Sequence, residues 1–274
     1  MKRTVFIFIV VSFMLVNVAS LAQSKPNVIA FYTAKNDQAH ISFVNEANRW
    51  FSELSVKDSF TYTATNDWNQ LNSETLSKYD LVIFLDTRPD SLPQREAFEK
   101  YIENGGLWMG FHFCAFALTP STYPQDWDWY HENFLGSGQY VSNTWRPTSA
   151  VLKVEDREHP ATRDLPETFT SSPNEWYRWE HDLRENPDIQ ILVSIDPASF
   201  PLGTGPKPHE IWHEGNYPVV WTNLNYHMIY INMGHNDIDY EGGSNKELSF
   251  TFQNETQNQL VINALNWLFS TSKN

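Results

Sequence analysis

Two short apolar runs constrain the fold of this chain more than any other feature. The first, LVIFL (residues 81–85), is followed directly by Asp86, and the second, LWMGFHF (107–113), contains one histidine. Neither run alternates apolar with polar residues, and a helical pattern that ends at Asn104-Gly105-Gly106 lies between them. Strands that are apolar on both faces and alternate with helices are typical of a parallel sheet covered on both sides. The sequence therefore predicts an α/β fold.

The remaining segments fit the same plan. Residues 27–33 predict a first strand, and apolar residues spaced by three and four from Ile41 to Leu54 predict the helix after it. Ser91 and Gln94 have the spacing of a capping box, which predicts a helix that ends near Glu103. Further strands are expected at 60–65, 150–155 and 189–195, a hairpin at 219–222 and 228–233, a closing helix around 260–268, and long aromatic loops with short helices at 119–149 and 160–188.

The N-terminus has the pattern of a secretory signal peptide. Lys2 and Arg3 precede a short apolar run, and the small residues around Ala22 match a cleavage site. We therefore expect residues 1–22 to be a signal peptide, residues 23–274 to form a single domain, and the protein to be secreted and periplasmic. An uncleaved membrane anchor is the alternative.

Charge and composition exclude several partners. The formal net charge is −14, so nucleic acid and anionic lipid surfaces would repel the chain. The single cysteine excludes an internal disulfide. Aromatic residues make up 15% of the chain; most are expected in the core, although flat rings also pack on the apolar faces of sugars. The expected partner is thus a small molecule, and the oligomeric state is left open.

Polar residues end the predicted strands of the sheet. Thr33, Asp86, His112 and His235 each follow an apolar run. Ligands of open parallel sheets bind at the carboxyl ends of the strands, so these four residues are site candidates. A histidine satisfied by a core hydrogen bond, or a carboxylate that only caps a turn, is the alternative in each case.

The segment around His112 resembles the nucleophile elbow of class I glutamine amidotransferase-like proteins, Gly-x-Cys-x-Gly, with His112 in the nucleophile's position and Cys114 in that of the second glycine. A scaffold of this kind without the nucleophile resembles the ThuA-like family, named for a trehalose-utilisation protein. The blocks that carry the likeness, in the family's order, are YIENGGLWMGFH (101–112), HPATRDLPETF (159–169), NEWYRW (174–179), YPVVW (217–221) and IYINMGH (229–235).

The resemblance implies a flavodoxin-like, three-layer fold with a mainly parallel sheet and long aromatic loops over the carboxyl ends of its strands. It also implies a role in the use of trehalose and other disaccharides. We expect His112 and His235 to act as acid and base with the help of Glu175. The expected substrate-binding residues are Thr33, Asp86, Tyr177, His213 and Asp237.

Other chemical motifs are weak. His209 to His213 spells H-E-x-x-H, but nearby prolines and a following strand leave no room for the helix that a zinc protease needs. A glycine-rich phosphate loop and a G-x-S-x-G elbow do not occur in the sequence. We therefore expect no cofactor, although a divalent metal held by histidines and a carboxylate stays open.

The sequence favours an enzyme that cleaves or otherwise transforms a disaccharide, including a keto-disaccharide, by histidine and glutamate chemistry without a cysteine nucleophile. Because a carbonyl acidifies the adjacent C–H, a histidine base is strong enough to begin an elimination. The alternatives are a non-catalytic carbohydrate-binding protein on an inactive amidotransferase-like fold, and a metal-dependent hydrolase.

Overall fold

A twisted sheet of nine strands forms the centre of the computed structural model, which describes residues 25–58, 60–117, 127–144, 147–199, 217–237 and 247–271. The predicted signal peptide and His213 lie outside the described residues. The strands are β1 (Asn27–Phe31), β2 (Thr61–Thr65), β3 (Leu81–Phe84), β4 (Leu107–Phe111), β5 (Tyr140–Asn143), β6 (Val151–Val154), β7 (Thr168–Thr170), β8 (Tyr177–Trp179), β9 (Ile189–Ile195), β10 (Tyr217–Asn223) and β11 (Met228–Ile231), and the helices are α1 (Gln38–Lys57), α2 (Ser73–Leu76), α3 (Leu92–Glu103) and α4 (Glu255–Thr271).

The strand order is β2-β1-β3-β4-β11-β10-β9-β6-β7. The first five strands are parallel and have the order of flavodoxin-like folds, which confirms the predicted architecture. The other four strands continue the same sheet with antiparallel pairing. The predicted hairpin of β10 and β11 supplies the change of direction, because a hairpin necessarily reverses the chain.

Successive residues of the central strands pack on opposite layers. Ile83 contributes to the core with α1 and α4, whereas its neighbours Val82 and Phe84 pack with Phe98 of α3 on the other face. This alternation explains why these strands are apolar at every position. The three-layer arrangement expected from the sequence is thereby confirmed.

Two local predictions were wrong in detail. Ser91 occupies the cap position of α3, but its side chain accepts no capping hydrogen bond, so the expected capping box is absent. The middle of the chain contains more regular structure than the predicted loops, because β5 pairs with β8 in a separate two-stranded sheet and β7 extends the main sheet. A six-residue turn of π-helix, Trp129–Phe134, precedes β5. These strands have only three or four residues, which is too short for a visible alternation.

The helices of the described segments are too short or too polar to cross a membrane.

Candidate active site

His112 is the first residue after β4 and has an unusual backbone conformation. Its φ is +39°, in the left-handed region that residues with a side chain seldom adopt, and it begins a 3₁₀ turn, His112–Ala115. The approach to this turn is crowded, because a Cβ atom on Gly110 would overlap the ring of Trp108 and lie 2.7 Å from Cys114 Sγ. Glycine is therefore required at position 110.

Both ring nitrogens of His112 face protein atoms. Nε2 lies 2.9 Å from the backbone oxygen of Glu175, and the hydroxyl of Tyr177 lies 3.4 Å from Nδ1. Since a carbonyl oxygen only accepts, Nε2 carries the proton and donates it, which leaves Nδ1 as the acceptor for Tyr177. The side chain is 1% exposed. His112 is thus a buried and firmly oriented residue.

His235 follows β11 and converges on the same point. Gly234 before it has a φ of +140°, which favours glycine, and Glu175 donates its N–H to the backbone oxygen of His235 at 3.0 Å. His235 Nδ1 lies 3.2 Å from Glu175 Oε2, which is an ion pair when the imidazole is protonated. The same carboxylate oxygen is 3.7 Å from His112 Nε2. Glu175 therefore connects the two histidines that the sequence singled out.

A third histidine, His40, completes the cluster and was not predicted. Its ring centre lies 4.9 Å from that of His235 and 5.7 Å from that of His112. His40 is in the first turn of α1, four residues before the buried Val44, so it occupies the first position of the apolar stripe. A histidine at that position, next to the carboxyl edge of the sheet, is the signal that could have identified it.

Two buried asparagines fix the segments that carry Glu175 and His235. Asn174 Oδ1 accepts the N–H of Gly234 at 3.0 Å, and Asn236 Nδ2 donates to the backbone oxygen of Pro173 at 2.6 Å. Both asparagines are 0% exposed. Because each asparagine flanks a site residue and bonds to the segment that carries the other, the two segments are held in one register.

The electrostatic environment shifts the pKa values of the three imidazoles in different directions. Burial alone would lower the pKa of His235, but the carboxylates of Glu175, Asp37 and Asp237 outweigh it and raise that pKa above the usual value. Burial and the neighbouring histidine charges lower the pKa of His112 well below the usual value. The same causes, burial first, lower the pKa of His40 to about 4 despite the opposing effect of Asp37. Of the three imidazoles, His235 is therefore the one whose protonated form the surroundings favour.

The predicted substrate-binding residues occupy different positions. Thr33 and Asp86 line a cleft of about 300 Å³ beside His40. Both oxygens of Asp86 accept backbone hydrogen bonds, from Thr33 at 2.7 Å and from Ala34 at 2.5 Å. Burial raises the pKa of Asp86 although these bonds oppose the shift. In this conformation Asp86 mainly holds the loop after β1 and has little left to offer a ligand.

Tyr177 and Asp237 lie beside the histidines rather than in that cleft. The centre of the Tyr177 ring lies 4.3 Å from that of His112, and Tyr177 is 2% exposed, so no aromatic face is presented to solvent. Half-buried Asp237 adds to the negative field around His235 and has a φ of +40°. The roles expected of these residues in substrate binding stay predictions.

The three imidazoles are close enough to hold a metal ion. Ligand nitrogens of His40, His112 and His235 all lie within 4.8 Å of one another. Neutral imidazoles are good ligands for zinc and similar ions. The donor set therefore fits a divalent transition metal, although His112 would have to exchange one of its present hydrogen bonds for the ion.

Cys114 is not placed to act as a nucleophile. The thiol is 0% exposed, and burial raises its pKa far above the usual value. The thiolate is the reactive form of cysteine, so this residue is inert.

These features define a class of protein: a flavodoxin-like fold with a cluster of histidines and a carboxylate at the carboxyl edge of its parallel strands. The sequence model of the ThuA family, described as "Trehalose utilisation", matches residues 28–268, so the chain belongs to this family.

Solved structures agree with the assignment. A putative ThuA-like protein from Bacteroides uniformis is 35% identical, with a TM-score of 0.80 over 93% of this chain and 96% of that one. A putative ThuA-like protein from Parabacteroides merdae shares the fold at 18% identity and a TM-score of 0.61, over 91% of this chain and 92% of its own. A comparison with curated proteins found no match.

Proposed function

We propose that the chain is an enzyme that cleaves a disaccharide or another glycoside, by hydrolysis or elimination, through acid–base chemistry. The observation that carries the proposal is the convergence of His112, His235 and Glu175 from three distant parts of the sequence. Such convergence at the carboxyl edge of a parallel sheet favours chemistry over simple binding. The family's description supports the class of substrate.

The structure supports a division of roles among the histidines. Residues whose environments drive their pKa values apart are natural acid and base partners. His235, which has a raised pKa, is the proposed general acid, and Glu175 keeps it protonated. His40, which has a lowered pKa and lines the cleft, is the proposed general base. The almost fully buried His112 is then a positioning residue that orients Glu175, instead of the acid or base expected from sequence.

A reaction of this kind requires no covalent intermediate. The inert Cys114 supports a mechanism without a thiol nucleophile. In a keto-disaccharide the carbonyl acidifies the adjacent C–H, so a neutral imidazole removes that proton and the cationic one protonates the departing glycosidic oxygen. The same pair would activate water and protonate the leaving group in a hydrolysis.

A second candidate is a metal-dependent hydrolase, favoured by the nitrogens of three histidines within 4.8 Å of one another. A metal ion bound there would supply an acidified water molecule. Elemental analysis of protein purified without added metal separates the two candidates. A stoichiometric transition metal supports the second, and full activity of metal-free protein supports the first.

The proposal includes export of the protein. Residues 1–22 have the charge pattern and apolar run of a signal peptide, and the expected location is the periplasm. N-terminal sequencing of the protein recovered from the periplasm tests this point, since a mature chain that begins near Gln23 is expected.

The enzymatic proposal is tested by the turnover of trehalose and of 3-keto-disaccharides by the wild type and by His112→Ala. We expect measurable turnover in the wild type and a loss of about tenfold or more in the variant, because Glu175 loses its orienting partner. Equal rates would remove His112 from the mechanism. Binding of these sugars without any turnover would support the non-catalytic alternative.

A further inference from the structure

Arg88 lies in the candidate site without a partner for its charge. It follows Asp86 by two residues, is 6% exposed, and lines the same cleft as His40. Its Nε atom has no hydrogen-bond partner, and no carboxylate forms an ion pair with it among the described residues. Buried charges are normally paired, because removal of an unpaired ion from water is costly.

Asp86 and Asp90, the carboxylates nearest to Arg88 in sequence, do not form an ion pair with this guanidinium. Both oxygens of Asp86 already accept backbone hydrogen bonds, and Asp90 is an exposed residue. Arg95, the next cation, is engaged by the backbone oxygen of Pro89 and by the ring of Trp127.

A neighbouring buried histidine is affected by the same two cations. His131 is 4% exposed, and neither of its ring nitrogens has a hydrogen-bond partner in the described structure. Burial, and then the charges of Arg88 and Arg95, lower the pKa of His131 well below the usual value.

We propose that Arg88 binds the carboxylate of a sugar acid, so that the substrate is an acidic disaccharide or glycoside with this group in the cleft. The planar guanidinium matches a carboxylate in geometry and in charge. A phosphate dianion fits less well, because Asp37, Asp86 and Asp90 line the same cleft and would repel its second charge. The inference rests on the proposed function, which it deepens by naming the substrate class.

The position of Arg88 also sets the orientation of the substrate. His40 and Arg88 line one cleft of about 300 Å³, and His235 is in ring contact with His40. A sugar acid anchored through its carboxylate at Arg88 would therefore present its glycosidic bond to the histidines. This anchoring converts binding energy into alignment of the reacting atoms.

Calorimetric titration of the mature chain with D-glucuronate, D-glucose and inorganic sulfate tests the proposal. We expect the wild type to bind glucuronate about tenfold or more tightly than glucose, as a charge-assisted hydrogen bond requires. Arg88→Gln should bring the two affinities to within about twofold. Arg163→Gln, which removes the same charge from an exposed site outside the cleft, should leave the preference unchanged.

Several results would overturn the assignment: equal affinities for the two sugars in the wild type, an unchanged preference in Arg88→Gln, or sulfate bound as tightly as glucuronate. If Arg88→Gln does not fold, Arg88→Lys replaces it, and the loss of the planar fork should reduce the preference. The binding readout is independent of catalysis. His235→Gln should therefore retain the preference for glucuronate. A wild type that shows this preference but turns over no glycoside would overturn the enzymatic proposal and leave the carboxylate-binding proposal standing.

Discussion

An aspartate lies at each edge of the neighbouring parallel strands β1 and β3, and the surroundings of these two aspartates differ. At the amino end, Asp80 accepts the N–H of Asn27 at 2.7 Å in an exposed position. At the carboxyl end, buried Asp86 accepts two N–H groups from the loop after β1. The amino edge also has the larger cavity, about 480 Å³ against about 300 Å³.

The larger cavity nevertheless has fewer side chains suited to acid–base chemistry. Its wall includes Asp80 and Lys100 but no histidine, and the Tyr101 hydroxyl there bonds to backbone oxygens. The carboxyl edge contains the three-histidine cluster. It also has most of the strained backbone: of the non-glycine residues with positive φ in the described structure, Ala34, Asn36, His112 and Asp237 lie near this edge and only Asp164 lies elsewhere. Backbone strain that persists beside buried titratable groups marks a functional site better than volume does.

The largest expected effect compares two histidines at opposite ends of β11. His235→Gln removes the proposed acid and should reduce kcat/KM by about 100-fold or more. His227→Gln alters the residue just before β11, at the amino edge, and should change kcat/KM by less than about twofold. Steady-state kinetics on a turned-over disaccharide measures both. Equal losses in the two variants would mean that the carboxyl edge has no special role.

The matched aspartates provide a comparison of stability. Asp86→Asn places an amide NH₂ group against buried backbone N–H groups and should lower the free energy of unfolding by about 2 kcal/mol. Asp80→Asn, in an exposed position, should lower it by less than about 1 kcal/mol. Urea denaturation gives both values. A smaller loss for Asp86→Asn than for Asp80→Asn would contradict the anchoring role of Asp86.

Acid should destabilise the protein through the carboxyl edge. The pKa of His40 is about 4 in the folded protein and about 6.5 in the unfolded chain, so only the unfolded state takes up this proton between those values. The free energy of unfolding should therefore fall as the pH is lowered from about 6.5 to 4.

His40→Gln should remove part of this pH dependence, on the order of 2 kcal/mol for a half-buried ring. Denaturation midpoints measured with a chelator present, so that no ion competes for the ring, test this effect. His227→Gln is the control and should keep the wild-type slope. A wild-type slope in His40→Gln would show that burial of this ring does not control acid stability.

The smallest expected effect concerns Cys114, which lies beside the cluster without taking part. Cys114→Ala should leave kcat/KM within about twofold of the wild type and lower the free energy of unfolding by about 1 kcal/mol, the cost of a small cavity. Kinetics and denaturation check both values. A loss of activity without a loss of stability would show that the thiol takes part in the reaction.

The sequence predicted the parallel half of the sheet well and the rest less well. The apolar runs of β3 and β4 leave few alternatives to a doubly covered parallel sheet. The short strands β5, β7 and β8 have too few residues to show a period, so the sequence predicts loops in their place.

The sequence also predicted only part of the site. His112 and His235 were visible because they end strands, and Glu175 because of its family block. His40 was overlooked because a histidine within an amphipathic helix looks like an ordinary member of its apolar face. The difference in exposure between His112 and His235 depends on packing of the loop around Glu175, which local sequence does not encode.

The central claim is that Glu175 keeps His235 protonated so that it acts as an acid. The most direct test is the pH dependence of kcat/KM for wild type and Glu175→Gln, with Glu167→Gln as an exposed control. For the wild type we expect activity to fall as the pH rises through the elevated pKa of His235. In Glu175→Gln this decline should move to lower pH, because the largest favourable charge is lost. A decline at the same pH in all three proteins would contradict the account.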